Sequence, residues 1–145
     1  MSRIGVLLTC FGGLAALTGG CTGFGGRAEA QLLSGYAAYR AGDNAAALQS
    51  ADALLGSGRG SSLQGEAYYL RGLARERLGD RISAEADYRR ACEVARTSEV
   101  RAHALLALAD VAVAAGDLHR AASLYRECLG QSRATLMENL ENALE

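Results

Sequence analysis

Small, apolar and turn-forming positions recur along this chain at one fixed interval. Gly42-Asp43, Gly79-Asp80 and Gly116-Asp117 stand 37 residues apart. Ahead of each turn lies a small residue, Gly35, Gly72 or Ala109, and beyond it come Ala47, Ala84 and Ala121, then Ala51, Tyr88 and Tyr125. A period of this length predicts stacked copies of one supersecondary unit, none of which buries its apolar face alone. Each unit reads as two helices. Glycine closes the first because it takes the left-handed cap position cheaply, and aspartate opens the second by accepting a bond from an unpaired amide. The small residues let the two helices cross closely, and Tyr88 and Tyr125 fill the wedge that remains.

In these residues the chain resembles a tetratricopeptide repeat array with three units across roughly residues 28 to 129. The family pattern has a large residue at its fourth position, a small one at its eighth, Ala at its twentieth, an aromatic at its twenty-fourth and Ala at its twenty-seventh. Tyr68, Gly72, Ala84, Tyr88 and Ala91 meet it in the middle unit, and Leu105, Ala109, Ala121, Tyr125 and Cys128 follow it in the third. The first unit departs, with Gln31, Ala51 and Leu54 at pattern positions. No unit has the usual closing proline, and the period is 37 rather than the common 34, which longer helices or looser connections absorb. The resemblance implies an all-α fold: an α-solenoid of three helical hairpins (about 28–61, 62–97 and 98–130) plus a C-terminal capping helix at 132–145. Ser132 would cap that last helix, whose Leu136, Met137, Leu140 and Leu144 form one stripe; dimerisation, or a further region beyond it, is the competing role.

Residues 1–20 stand outside the repeat. Arg3 precedes the apolar run Ile4 to Leu17, too short to span a membrane and suited to a secretory leader. Leu17-Thr18-Gly19-Gly20-Cys21 resembles a bacterial lipobox, which implies removal of the leader and acylation of Cys21. The departure is Thr18 where Leu is usual. A cut after Ala28-Glu29-Ala30 is the rival reading, and Cys10 is a poor one because it lies inside the apolar run. Residues 21–27 then form a short flexible tether, and Thr22 after the cysteine favours the periplasmic face of the outer membrane under the rule for enteric bacteria.

Charge narrows the field further. All 15 basic residues are arginine against 16 acids, a net charge of −1, which offers no basic field for nucleic acid. The absence of lysine removes Schiff-base chemistry and P-loop phosphate binding. The glycine-rich stretch from Gly56 to Ser62 therefore reads as a linker, not a phosphate cradle. His103 and His119 match no metal spacing, and no Ser, His and acid arrangement emerges. Cys92 and Cys128 lie near the ends of consecutive second helices, one position out of register, where free buried thiols are expected over a bridge. No enzyme activity, cofactor, metal or small-molecule substrate is expected.

The resemblance also implies a groove lined by the first helix of each pair. Its positions carry over to Glu29, Leu32, Tyr36, Tyr39 and Arg40; to Glu66, Tyr69, Leu73, Glu76 and Arg77; and to His103, Leu106, Asp110, Val113 and Ala114. Tyrosine and arginine are frequent binding hot spots, although Tyr36 and Tyr69 would equally serve as packing between units. The expected partner is a protein or peptide segment laid in that groove. Two functions follow: a membrane-anchored scaffold or assembly factor in the bacterial cell envelope, serving pilus, outer-membrane-protein or cell-wall machinery; or a secreted or periplasmic subunit regulating a peptidoglycan-binding or enzymatic partner.

Overall fold

The computed structural model describes residues 25–57 and 62–144, with side chains at 26–57, 62–134 and 137. Among them are α1 (Gly25–Arg40), α2 (Asn44–Gly56), α3 (Gln64–Arg77), α4 (Arg81–Val94), α5 (Ser98–Ala114) and α6 (Leu118–Leu144). No described helix is long and apolar enough to cross a membrane. Residues 1–24, with the expected leader and Cys21, lie outside the described residues, as does the centre of the glycine-rich linker.

The three Gly-Asp turns are copies of one another. Gly42, Gly79 and Gly116 take φ of 86°, 88° and 80°, and no other described residue has positive φ. This left-handed step lets Asp43, Asp80 and Asp117 donate their N–H groups back to Ala38, Arg75 and Ala112 at 2.9 Å each, closing the ends of α1, α3 and α5. Each aspartate then caps the next helix. Its Oδ1 accepts from the N–H of Ala46 (2.9 Å), Ser83 (3.1 Å) or Arg120 (3.0 Å).

Packing is strictly between neighbours, and the core divides at the two junctions between units. Leu32, Ala47, Ala51, Leu54, Ala67, Leu70 and Ala74 join the first unit to the second. Ala84, Tyr88 and Leu108 join the second to the third. Tyr88 is fully buried, and its O–H donates to Glu76 Oε2 at 2.6 Å. The ring lies so close to α3 that a Cβ built on Gly72 would come within 2.5 Å of it. The wedge expected of Tyr88 is therefore real, and the glycine opposite is what admits it. Tyr125 differs. No described helix follows α6 to cover it, so it stays half-exposed and donates to Asp110 Oδ1 at 2.8 Å.

An ion-pair cluster ties α3 to α4 and reaches α2 of the first unit. Arg71 holds Asp87 through Nε and Nη2 at 3.0 and 2.7 Å, and reaches Asp52 of α2 through Nη1 at 2.9 Å. Arg75 donates to Asp87 at 2.7 Å. Asp87 is only 3% exposed, so its charge rests on these two cations. Burial by itself would lower the Arg71 pKa; the bonds to Asp87 and Asp52 outweigh it and hold the guanidinium firmly charged.

Two expected boundaries move. The capping helix at 132–145 is not a separate element, because α6 runs unbroken from Leu118 through Gly130 to Leu144. Gly130 does not take the left-handed step of the turn glycines, and no proline stops the helix. Ser132, expected as a cap, donates its hydroxyl back to the Cys128 carbonyl at 3.1 Å. Among the described residues the backbone of α6 approaches α5 alone, with Arg120 near its start reaching Glu85 of α4, so its extension does not fold back over the stack. The expected tether at 21–27 also shortens, since α1 already begins at Gly25.

Candidate peptide-binding groove

Which face of the stack is inner follows from which helices touch. Among the described residues the backbones of α1 and α3, and of α3 and α5, come close, whereas those of α2, α4 and α6 stand apart, α4 and α6 being bridged by the Glu85–Arg120 ion pair. First helices that touch while second helices stand apart describe a curve with α1, α3 and α5 on its inside. The residues carried over from the repeat pattern fall on those three helices.

The centre of this surface is an aromatic row that crosses all three units. Tyr69 of α3 lies with its ring 5.9 Å from that of His103 on α5, nearly parallel at 19°, and 5.9 Å from Tyr88 behind it. Tyr36 of α1 continues the row: burial, then Tyr69 and Glu66, raise its hydroxyl pKa. The Tyr69 hydroxyl is raised by burial first, then by Tyr39, Glu76 and Asp110, whose negative charge opposes a phenolate. Tyr69 and His103 thus form the stacked centre of this face, with Tyr36, Tyr39, Glu66, Glu76 and Asp110 near enough to act on the tyrosine hydroxyls through their charge or ring. Leu106 and Val113 of α5 flank it and are 40% and 47% exposed, apolar surface with no covering helix.

Several carried-over residues have work inside the fold. Arg77 stands 3.9 Å over the Tyr39 ring and donates to the Tyr39 carbonyl at 3.0 Å, so it braces the second unit against the first instead of waiting for a partner's carboxylate. Glu76 accepts from Tyr88 and Asp110 from Tyr125. Leu73 is half-buried against the second junction. Leu32, expected to line the groove, is instead 9% exposed in the first junction, because at its level α1 turns toward α2 and α3. Arg40 is exposed in the last turn of α1, and Glu29 is exposed in its first half.

Glu66 is the unusual member. Its Oε2 is shut away from solvent and accepts no hydrogen bond. Buried acceptors are nearly always satisfied, and leaving one unpaired costs about 1 to 3 kcal/mol.

The remaining reactive groups are inert or occupied. Cys92 and Cys128 are free thiols that donate to carbonyls of α5, those of Arg101 at 3.9 Å and Ala102 at 3.7 Å. Burial pushes the Cys92 thiol up to about 11. Among the described residues no three His, Cys, Asp or Glu side chains converge as a metal site. A small depression of about 190 Å³ opens at the turn end of the second and third units, lined by Glu76, Ile82, Glu85 and Val111 among others.

The Asp52, Arg71, Arg75 and Asp87 cluster and the bond from Tyr88 to Glu76 escape a reading by repeat position, because the pattern fixes residue size at the helix crossings and not which polar groups pair. Arg71 and Arg75, one helical turn apart, were the available signal that two cations share a face.

Comparison with curated proteins and with solved structures finds no match. Residues 65–98 match the tetratricopeptide repeat family, a span that takes in α3, the Gly79 turn and α4. The same hairpin stands on either side of that span at the same turn geometry, so a matched tetratricopeptide repeat sits between two hairpins of its own build.

Proposed function

We propose that this chain is an envelope scaffold: held at a membrane by acylated Cys21, it docks a segment of another protein on the inner face of its repeat stack. A tetratricopeptide repeat serves protein–protein interaction, and the observation that carries the groove is the aromatic row of Tyr36, Tyr69 and His103 beside exposed Leu106 and Val113. A half-buried pair of tyrosine rings with His103, Leu106 and Val113 exposed beside them suits burial against a partner better than exposure to water. The anchor rests on the apolar run before Gly19-Gly20-Cys21. At about 0.8 kcal/mol per buried methylene, two or three acyl chains hold a protein essentially for good, where one holds it marginally.

Two experiments separate the parts. Partner capture from envelope extracts is compared between the native chain and a Leu106→Ser/Val113→Ser variant whose helicity is checked by circular dichroism. These positions are exposed, so the fold survives; equal recovery of the same partner would remove the groove from the reading. Incorporation of radioactive palmitate is compared with Cys21→Ala. Label on the native chain alone supports the anchor, and label on neither leaves an exported protein without one.

A further inference from the structure

The chemistry of the inner face also specifies its ligand, on the premise that the groove is the binding site. Six charged residues hold lining positions: the carboxylates Glu29, Glu66, Glu76 and Asp110 and the guanidiniums of Arg40 and Arg77. Arg77 is occupied by Tyr39, and Arg40 sits at the rim, in the last turn of α1. Four acids against two arginines leave the lining net negative, with Arg77 still charged but held against Tyr39. Glu76 and Asp110 are bonded by neutral tyrosine hydroxyls, which satisfy one oxygen of each and cancel no charge. Glu66 presents a carboxylate oxygen with no donor at all. Between these acids lie the tyrosine rings of the row, whose faces attract cations.

We infer that the groove takes a cationic peptide segment, with an arginine or lysine side chain laid along the Tyr36–Tyr69–His103 row and its charged head at Glu66. Such a head pairs with the Glu66 carboxylate and, as that side chain turns toward it, supplies the donor that Oε2 lacks, in a charge-assisted bond about twice as strong as a neutral one. An arginine suits the place better than a lysine, since its flat guanidinium stacks on a ring and pairs with a carboxylate at once. A segment ending in acidic residues is disfavoured by the same charges.

Fluorescence anisotropy tests the inference with three labelled twelve-residue peptides of one alternating design, whose charged positions hold Arg, Glu or Gln. The Arg peptide is expected to bind, with affinity falling as salt rises, and the Glu peptide not to bind. Glu66→Gln combined with Asp110→Asn should weaken the Arg peptide at least tenfold. Glu93→Gln combined with Glu127→Gln removes the same charge from the outer helices and should leave binding within twofold. Equal losses in the two double variants would mean diffuse attraction and overturn the proposal. Binding of the Gln or Glu peptide that Tyr36→Ser or Leu106→Ser abolishes would keep the groove and overturn its cationic ligand. Failure of all three peptides would end both.

Discussion

The crossing of α3 and α4 sets two well-measured effects against each other at Gly72. Replacing a glycine in a helix interior by alanine stabilises the helix by roughly 1 kcal/mol, because the backbone loses less freedom on folding. Here the new methyl would stand 2.5 Å from Tyr88 Cε1 and 2.7 Å from Cδ1, distances that atoms do not share. Overpacking a tight core costs about 1 to 3 kcal/mol, and the upper half of that range applies because this ring has nowhere to go. It is fully buried and its hydroxyl is tied to Glu76. Gly72→Ala should therefore lose about 1 to 2 kcal/mol net, read as a lower urea midpoint at unchanged slope. In a Tyr88→Leu background the ring is gone and the same change should cost nothing or stabilise, a coupling that a double-mutant cycle isolates. Gly35→Ala makes the calibration: its Cβ meets the Leu70 Cδ2 tip at 2.7 Å, the end of a flexible side chain, so its penalty should be smaller. Stabilisation by Gly72→Ala in the native background, or a cost unchanged by Tyr88→Leu, would refute the close crossing.

Other outcomes follow from the same structure. Asp87→Asn leaves Arg71 and Arg75 without their shared buried anion and should cost about 3 to 5 kcal/mol in urea unfolding, whereas Asp52→Asn, at a half-exposed pair, should cost about 1 kcal/mol or less. Burial raises the hydroxyl pKa of Tyr36 and Tyr88 above the ordinary 10.0, Tyr88 further through its bond to Glu76. Both therefore release protons more readily when unfolded. Stability that is whole below pH 10 is lost as pH rises past it, and Tyr88→Phe should flatten that alkaline decline in a series of thermal melts. Cys92, its thiol pushed to about 11, should react slowly with a thiol-specific disulfide reagent at pH 8 and at the rate of a free cysteine in urea.

Much of this protein is decided locally, and that part is visible in one dimension. The Gly-Asp turns need a left-handed glycine and a capping carboxylate in adjacent positions, requirements met within a few residues, so their repetition at Gly42, Gly79 and Gly116 is enough to predict three equivalent bends. The pairing of Gly72 with Tyr88 is nearly as legible, because a helical hairpin brings fixed positions together. The capping helix was misread for the converse reason. Gly130 resembles a stop, but a glycine ends a helix only when its backbone takes the left-handed step, and here it stays within α6.

Charge placement belongs to the tertiary structure. The sequence shows that Arg77, Glu76 and Asp110 share lining positions; it does not show that Arg77 lies on Tyr39 while both acids receive tyrosine hydroxyls. Those partners come from other helices: the acids meet tyrosines 15 and 12 residues away across their own hairpins, and the arginine meets a residue 38 away across the stacking of two units. The sequence by itself determined the hairpin and its count, since each rests on short-range geometry. Which lining residues remain free for a partner was decided by packing between helices, because a side chain's availability depends on every neighbour that reaches it first.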